Sequence, residues 1–294
     1  MRIAASTLCG LLLLVFTSAA PSAWGFDIHR FITNAAMDQV PADIRPYFQK
    51  HRAFITEHSI DPDLMRLYGV ETEEPNHFLD MDGIAPDPFT GIPRDEAEYV
   101  KKFGAEKAKE FGRNPWRVEE VYNKLVTELQ KPANGQRISS GNVNALTAIL
   151  SHYVEDAHVP FHAALNYDGQ STNQRGIHGR FETELFLRYK DRMAIVPVVP
   201  APVDNPRDFI FAKMIEGNRM VPSILAADKA ATEGREFYDD AYFEKFFSGA
   251  KPVVEKRISE AIGGVAAVIA GAWQKAGKPV LPIDEMRTPS RIRR

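Results

Sequence analysis

Cysteine is almost absent: the 294 residues contain one, Cys9. That excludes a disulfide framework, so packing or a bound metal must staple the fold. Surplus charge is also lacking, at a net −3. This argues against a broad basic footprint for nucleic acid but leaves a local positive site open. After the N-terminal segment no apolar run is long enough to span a bilayer; residues 261–273 are apolar but too short. Internal repeats, low-complexity tracts and alternating strand patterns are missing as well. What remains is 44% hydrophobic and 26% charged, the composition of a soluble globular protein.

Residues 1–23 read as a secretory signal peptide. Arg2 gives a short positive region, 8–16 are apolar, and small residues follow over 17–23. The expectation is export to the periplasm or the medium, with Cys9 removed. Leu8 stands where a lipoprotein needs a small residue, which argues against a lipid anchor at Cys9. Residues 24–286 are expected to form one domain, and 287–294 a basic tail that frays.

Helical spacing dominates that domain. Ile28, Phe31, Ile32, Ala35 and Ala36 form an apolar stripe. Further helices are expected over 41–54, 96–111, 118–129, 142–157, 181–193, 209–231 and 253–276. Ser140 is the expected N-cap of the 142–157 helix, and Pro160 its stop. Residues 55–93, rich in Pro and Gly, read as irregular, and loops of that length are usually functional. The fold class is therefore all-α: one multi-helix domain with a long irregular N-terminal region.

The chemistry concentrates in two stretches. In Ser151-His152-Tyr153-Val154-Glu155-Asp156-Ala157-His158-Val159-Pro160-Phe161-His162, His152 and Asp156 lie four apart on a helix and share a face. His162, past the helix end, can turn toward the same cavity. In Gly176-Ile177-His178-Gly179-Arg180-Phe181-Glu182 the imidazole–carboxylate spacing repeats. His162, His178 and Glu182 would give a metal three protein ligands and an open position, as in catalytic zinc sites. Upstream, Trp24 precedes Gly25-Phe26-Asp27-Ile28-His29. Cleavage before Trp24 would place a free amine, titrating near pH 8, beside His29.

In this order the pieces resemble a known superfamily, the zinc-dependent bacterial phospholipases C and the fungal-type single-strand nucleases that share their fold. The matching positions are Trp24 and His29, Asp63, His77 within Asn76-His77-Phe78-Leu79-Asp80, His152, Asp156, His162, His178 and Glu182. They run from residue 24 to about 190. The resemblance implies three Zn²⁺: one on Asp63, His77, His152 and Asp156; a second on the Trp24 amine and carbonyl, His29 and a bridging Asp156; a third on His162, His178 and Glu182. Asp63 is preferred to Asp61 because Asp63-Leu64-Met65-Arg66 reproduces the Asp-x-x-Arg of the nucleases; Asp61 stays an alternative. Arg66 would face the phosphate. Asp63 and Arg66 are thus the candidate catalytic residues.

Three zinc ions bring about six positive charges against three carboxylates, a cationic pit suited to a phosphodiester anion. The expected protein is an exported zinc-dependent phosphoesterase, with a phospholipase C-like activity favoured because the last ligand is Glu182. A single-strand nuclease is the alternative, and a non-catalytic zinc-stabilised binding protein the reading from another class. No obligate protein partner is evident. His51 and His58 read as surface or supporting histidines, and His158 as core or supporting. Glu155, Asp80 and Asp82 are candidates to orient the ligand imidazoles.

Overall fold

The computed structural model describes residues 25–283. Residues 1–23, read above as a signal peptide, Trp24 and the basic stretch expected over 287–294 lie outside the described residues. The described residues form thirteen α-helices: α1 (Phe26–Ala36), α2 (Arg45–Glu57), α3 (Asp61–Leu67), α4 (Met81–Ile84), α5 (Glu96–Phe103), α6 (Ala105–Phe111), α7 (Asn114–Leu129), α8 (Ser140–Asp156), α9 (Ile177–Gly179), α10 (Leu185–Tyr189), α11 (Pro206–Asn218), α12 (Val221–Thr232) and α13 (Asp240–Lys275). Among the described residues there is no strand, only one antiparallel bridge between Leu79 and Gly112. The all-α expectation holds. No helix of the described residues is long and apolar enough to cross a membrane.

α8 is the centre of the bundle, packed by α7, α13, α2 and α1. From Leu150 to Asp156 every α8 residue is buried. An all-round buried helix is normally apolar, so the polar residues at its C-terminal end need partners inside the protein. The helix is opened by Ser139, whose hydroxyl accepts from the Asn142 N–H, and not by Ser140, which already lies in the first turn. Ser139→Ala should cost about 1 kcal/mol, a fall of roughly 2–4 °C in Tm for a domain of this size; thermal melts of the two proteins check it.

Several boundaries differ from the sequence expectation, each for a physical reason. The stretch over 55–93 contains α3, opened by Pro62 in its first turn, where proline's missing N–H costs nothing. The helix expected over 96–111 breaks at Gly104, φ 82, a left-handed position that glycine adopts freely. The one expected over 209–231 divides into α11 and α12, with Pro222 in the first turn of α12. α13 instead runs through Pro252. Its N-terminal half is held by burial of Tyr242, Phe243, Phe246 and Phe247, and packing of that kind outweighs local propensity. Further along α13, Gly263 lets the backbone of the 194–206 loop lie directly on the helix: a Cβ there would sit 2.0 Å from the Val198 carbonyl oxygen.

Candidate metal centre

His152 and Asp156 project from one face of α8, and both are fully buried. His152 Nδ1 bonds the Ser59 carbonyl at 2.8 Å, which turns Nε2 toward Asp156 Oδ2, 3.3 Å away. Past the helix end Pro160 opens a 3-10 turn, Pro160–Ala163. That turn brings His162 Nδ1 within 3.6 Å of Asp156 Oδ1. His162 Nδ1 also bonds the His77 carbonyl at 2.7 Å, while the Leu79 N–H donates back to the His162 carbonyl at 2.9 Å. These two bonds stitch the His77 and His162 segments together. The bend after Asp156 is held by Arg257 of α13, which donates to the His158 carbonyl at 2.7 Å and pairs with Glu260 at 2.7 Å.

α1 supplies His29, whose ring stacks on His152 at 4.1 Å. Its Nδ1 lies 2.5 Å from Glu155 Oε2, and the other Glu155 oxygen accepts from Thr33 Oγ1 at 2.6 Å. With Nδ1–H donating to Glu155, the Nε2 lone pair faces Asp156 Oδ1 at 3.6 Å and Asp63 Oδ2 at 4.0 Å. α3 turns Asp63 inward and Arg66 beside it, with Nη2 3.2 Å from Asp63 Oδ1. Asp61, the alternative, faces outward and pairs with His58 Nδ1 at 2.8 Å. His77 Nδ1 stands 2.9 Å from Asp156 Oδ2. On the opposite edge of the ring Nε2 lies 3.5 Å from Glu73, which accepts from the Tyr153 hydroxyl.

His178 and Glu182 come from α9 and the π-helical stretch Arg180–Glu184 that follows it; such π turns are frequent at functional sites. His178 Nε2 is 2.6 Å from Glu182 Oε1, and His162 Nε2 is 3.7 Å from the same oxygen. Arg180 anchors this segment by donating to the Arg175 carbonyl at 2.7 Å and pairing with buried Asp228 at 3.1 Å.

Three buried groups thereby present ligand atoms within 4.8 Å of one another: His29, Asp63 and His152; His77, His152 and Asp156; and His162, His178 and Glu182. Both oxygens of Asp63 and of Glu182, Asp156 Oδ1, His29 Nε2 and His178 Nε2 form no hydrogen bond of proper geometry, although all are buried; their close approaches, such as His178 Nε2 to Glu182 Oε1, are ion-pair contacts only. Polar atoms left so in a protein interior are costly unless something else satisfies them. A mixed imidazole and carboxylate donor set is what divalent zinc takes, so the residues fit the metal.

Electrostatics agree with the geometry. Burial holds His29, His162 and His178 below the ordinary imidazole range, His178 at about 4, so each keeps a lone pair at neutral pH, as ligation requires. Burial also lifts the Glu182 carboxyl well above its usual value. For Asp156 burial acts upward, but the His152 and His162 imidazoles outweigh it and hold the carboxyl well down. At His77 burial acts downward and loses to the bonds with Asp156 and Glu73, which push the ring up to about 9. The carboxylates that stabilise a proton there would stabilise a metal cation equally.

A cavity of about 390 Å³ reaches this cluster from the surface, lined by Arg66, His77, His162, His178, Leu165 and Tyr167 among others. Residues 28–231 match the family model of zinc dependent phospholipase C. The chain belongs to this family. A comparison with curated proteins returns no match. Membership of the zinc dependent phospholipase C family supports a zinc-dependent phosphoester hydrolase, and the His/Asp/Glu groups are able to hold a metal ion.

The remaining candidates separate clearly. Glu155 orients His29. Asp82 accepts from the Leu165 N–H at 2.7 Å, which ties down a loop instead of an imidazole. Asp80 lines the cavity. His158 is a core residue, with Nδ1 on the Val154 carbonyl at 2.7 Å. His51 packs on Tyr47 at 4.5 Å. The sequence reading did not find Glu73 or Thr33. Both stand four residues from a ligand candidate, Glu73 before His77 and Thr33 after His29, a spacing that is a usable signal wherever the segment is helical.

Proposed function

We propose that these residues together hold three zinc ions and that the chain hydrolyses a phosphodiester, phospholipid being the leading substrate. The observation that carries this is the gathering of five imidazoles and three carboxylates beside a cavity open to the surface. One zinc would be held by Asp63, His77, His152 and Asp156, and a second by His29 with Asp156 and the Trp24 amine and carbonyl. The third would be held by His162, His178 and Glu182. Trp24 enters on the resemblance alone. Bound zinc lowers the pKa of its water to about 7 and polarises a phosphoryl oxygen.

The protein's own groups do the rest. Arg66 lines the cavity and offers its guanidinium to the phosphate oxygens. Asp63, ion-paired to it at 3.2 Å, orients the attacking water by accepting its proton in a hydrogen bond. Glu155 and the Ser59 carbonyl hold His29 and His152 in the tautomers that face the cluster. Phe78, Phe161, Leu165 and Tyr167 give the cavity apolar walls, which favours an acyl-bearing substrate. The Asp63–Arg66 pair is the observation that favours a nuclease as the second reading.

Zinc-loaded protein assayed side by side on phosphatidylcholine, single-stranded DNA, RNA and bis-p-nitrophenyl phosphate tests the assignment, with fastest turnover expected on the phospholipid. Faster cleavage of nucleic acid would overturn the substrate choice. No turnover of any of the four, with zinc bound, would leave only a binding protein. Glu155→Gln should weaken zinc binding about 10–100-fold by loosening His29, measured by competition with a chromophoric chelator. Unchanged affinity would remove Glu155 from the ligand-supporting role.

A further inference from the structure

Among the described ligand candidates His77 alone lies outside a helix, so the backbone that carries it must find its partners elsewhere. Asn114, the first residue of α7, supplies two of them. Its backbone N–H donates to the Phe78 carbonyl at 3.1 Å, and its side-chain Nδ2 donates to the Asn76 carbonyl at 3.1 Å. These two carbonyls flank His77. The second hydrogen of Nδ2 goes to the Tyr153 carbonyl at 3.1 Å, next to His152 on α8. One carboxamide therefore ties the segment bearing His77 to the helical turn bearing His152. The two imidazoles so joined stand 3.1 Å apart, His152 Nε2 to His77 Nδ1, and both face Asp156 Oδ2.

The surroundings are built for this junction. Gly112, at φ 90, lets residues 111–114 lie against 76–80: a Cβ there would sit 2.2 Å from the Phe78 carbonyl oxygen. The Arg113 N–H donates to the Pro75 carbonyl at 2.7 Å, and the Asp80 N–H to the Phe111 carbonyl at 2.8 Å. Tyr153 closes the circuit. Its carbonyl takes Asn114, and its hydroxyl donates to Glu73, which stands 3.5 Å from His77 Nε2. Asn114 is fully buried, yet its Oδ1 accepts no hydrogen bond. An asparagine that serves a helix start uses that oxygen to accept from first-turn N–H groups. Here only the nitrogen is engaged, and both of its hydrogens are spent on ligand-bearing backbone. Serine offers one donor at that reach and aspartate none.

We propose that Asn114 is a positioning residue for the zinc shared by His77, His152 and Asp156, setting the distance between the two imidazoles through the Asn76, Phe78 and Tyr153 carbonyls. This rests on the zinc assignment above and adds a residue that touches neither metal nor substrate. Ligand distances to a metal tolerate only about 0.2 Å, so slack between the two segments weakens the site.

Asn114→Asp keeps the shape and puts an oxygen where the donor nitrogen was; Asn114→Ala removes the reach. In both variants chelator competition should show one zinc bound about 10–100-fold more weakly than in the parent, with the remaining ions held as before. Cobalt-loaded variants should show shifted visible absorption bands, which follow coordination geometry. At saturating zinc, kcat on bis-p-nitrophenyl phosphate should fall about tenfold with KM little changed. Val121→Ala, a buried position elsewhere on α7, is the control for lost packing: its Tm should fall while zinc affinity and cobalt spectrum stay parental. Parental affinity and spectrum in both Asn114 variants, or equal weakening in Val121→Ala, would overturn the proposal. Failure of both Asn114 variants to fold in saturating zinc would also overturn it, since Asn114 would then serve the fold and not the site. A parent that binds no zinc would defeat the zinc assignment itself and this proposal with it.

Discussion

Asp156→Asn is expected to lose zinc and to lower turnover of bis-p-nitrophenyl phosphate about 10³-fold or more, the equivalent of the several kcal/mol that metal charge contributes to such a transition state. The substitution keeps the shape and removes only the charge. Four imidazoles approach this one carboxylate: His77 at 2.9 Å, His152 at 3.3 Å, and His29 and His162 at 3.6 Å. Asp156 is therefore the residue through which all three candidate groups touch. An amide there presents a neutral oxygen to the cations and turns N–H bonds toward them. Elemental analysis of the purified variant should show less than the parent's zinc, with at least one ion missing. His51→Ala on α2 is the control: its ring packs on Tyr47, and activity should persist. Full zinc content and full rate in Asp156→Asn would end the bridging role.

The parts of this site legible in the sequence are those that helix geometry repeats. His152 with Asp156, and His178 with Glu182, are pairs four apart, and in the structure each pair meets, at 3.3 Å and 2.6 Å. The choice between Asp63 and Asp61 was harder because it depends on α3, a seven-residue helix hidden among prolines. So short a helix is stable only through its tertiary contacts, and a periodicity test over the surrounding stretch dilutes it. Once α3 exists, the two acids point to different sides, Asp61 to His58 and Asp63 into the cluster. The π-helical register of Arg180–Glu184 left no mark in the sequence either. It is held by the Arg180–Asp228 pair, whose partners are far apart in the chain. The same holds for Arg257 of α13, which secures the bend after Asp156 from a position far along the chain. Long-range supports of this kind follow from packing, whereas the ligand spacings follow from local geometry.

Stripping the metal should lower the Tm by about 10 °C or more, the second large effect expected. The middle of the bundle is polar: His29, Asp63, His152, Asp156 and Glu182 are each 0% exposed. Several of their atoms form no hydrogen bond of proper geometry within the protein. Leaving a buried charge without its counter-charge typically costs roughly 3–5 kcal/mol, and in a domain of this size each kcal/mol moves Tm by roughly 2–4 °C. No disulfide can offset the loss, since Cys9 is the only cysteine. A ligand that binds only the folded state also makes Tm depend on its concentration, so Tm should climb with added free zinc and fall with chelator. Differential scanning fluorimetry of the protein before and after dipicolinate treatment, with residual zinc measured, decides the matter. Restoring zinc should restore the melt. An unchanged Tm in protein shown to be metal-free would mean that the buried carboxylates are neutralised by protons alone, and the three groups would lose their claim as zinc sites.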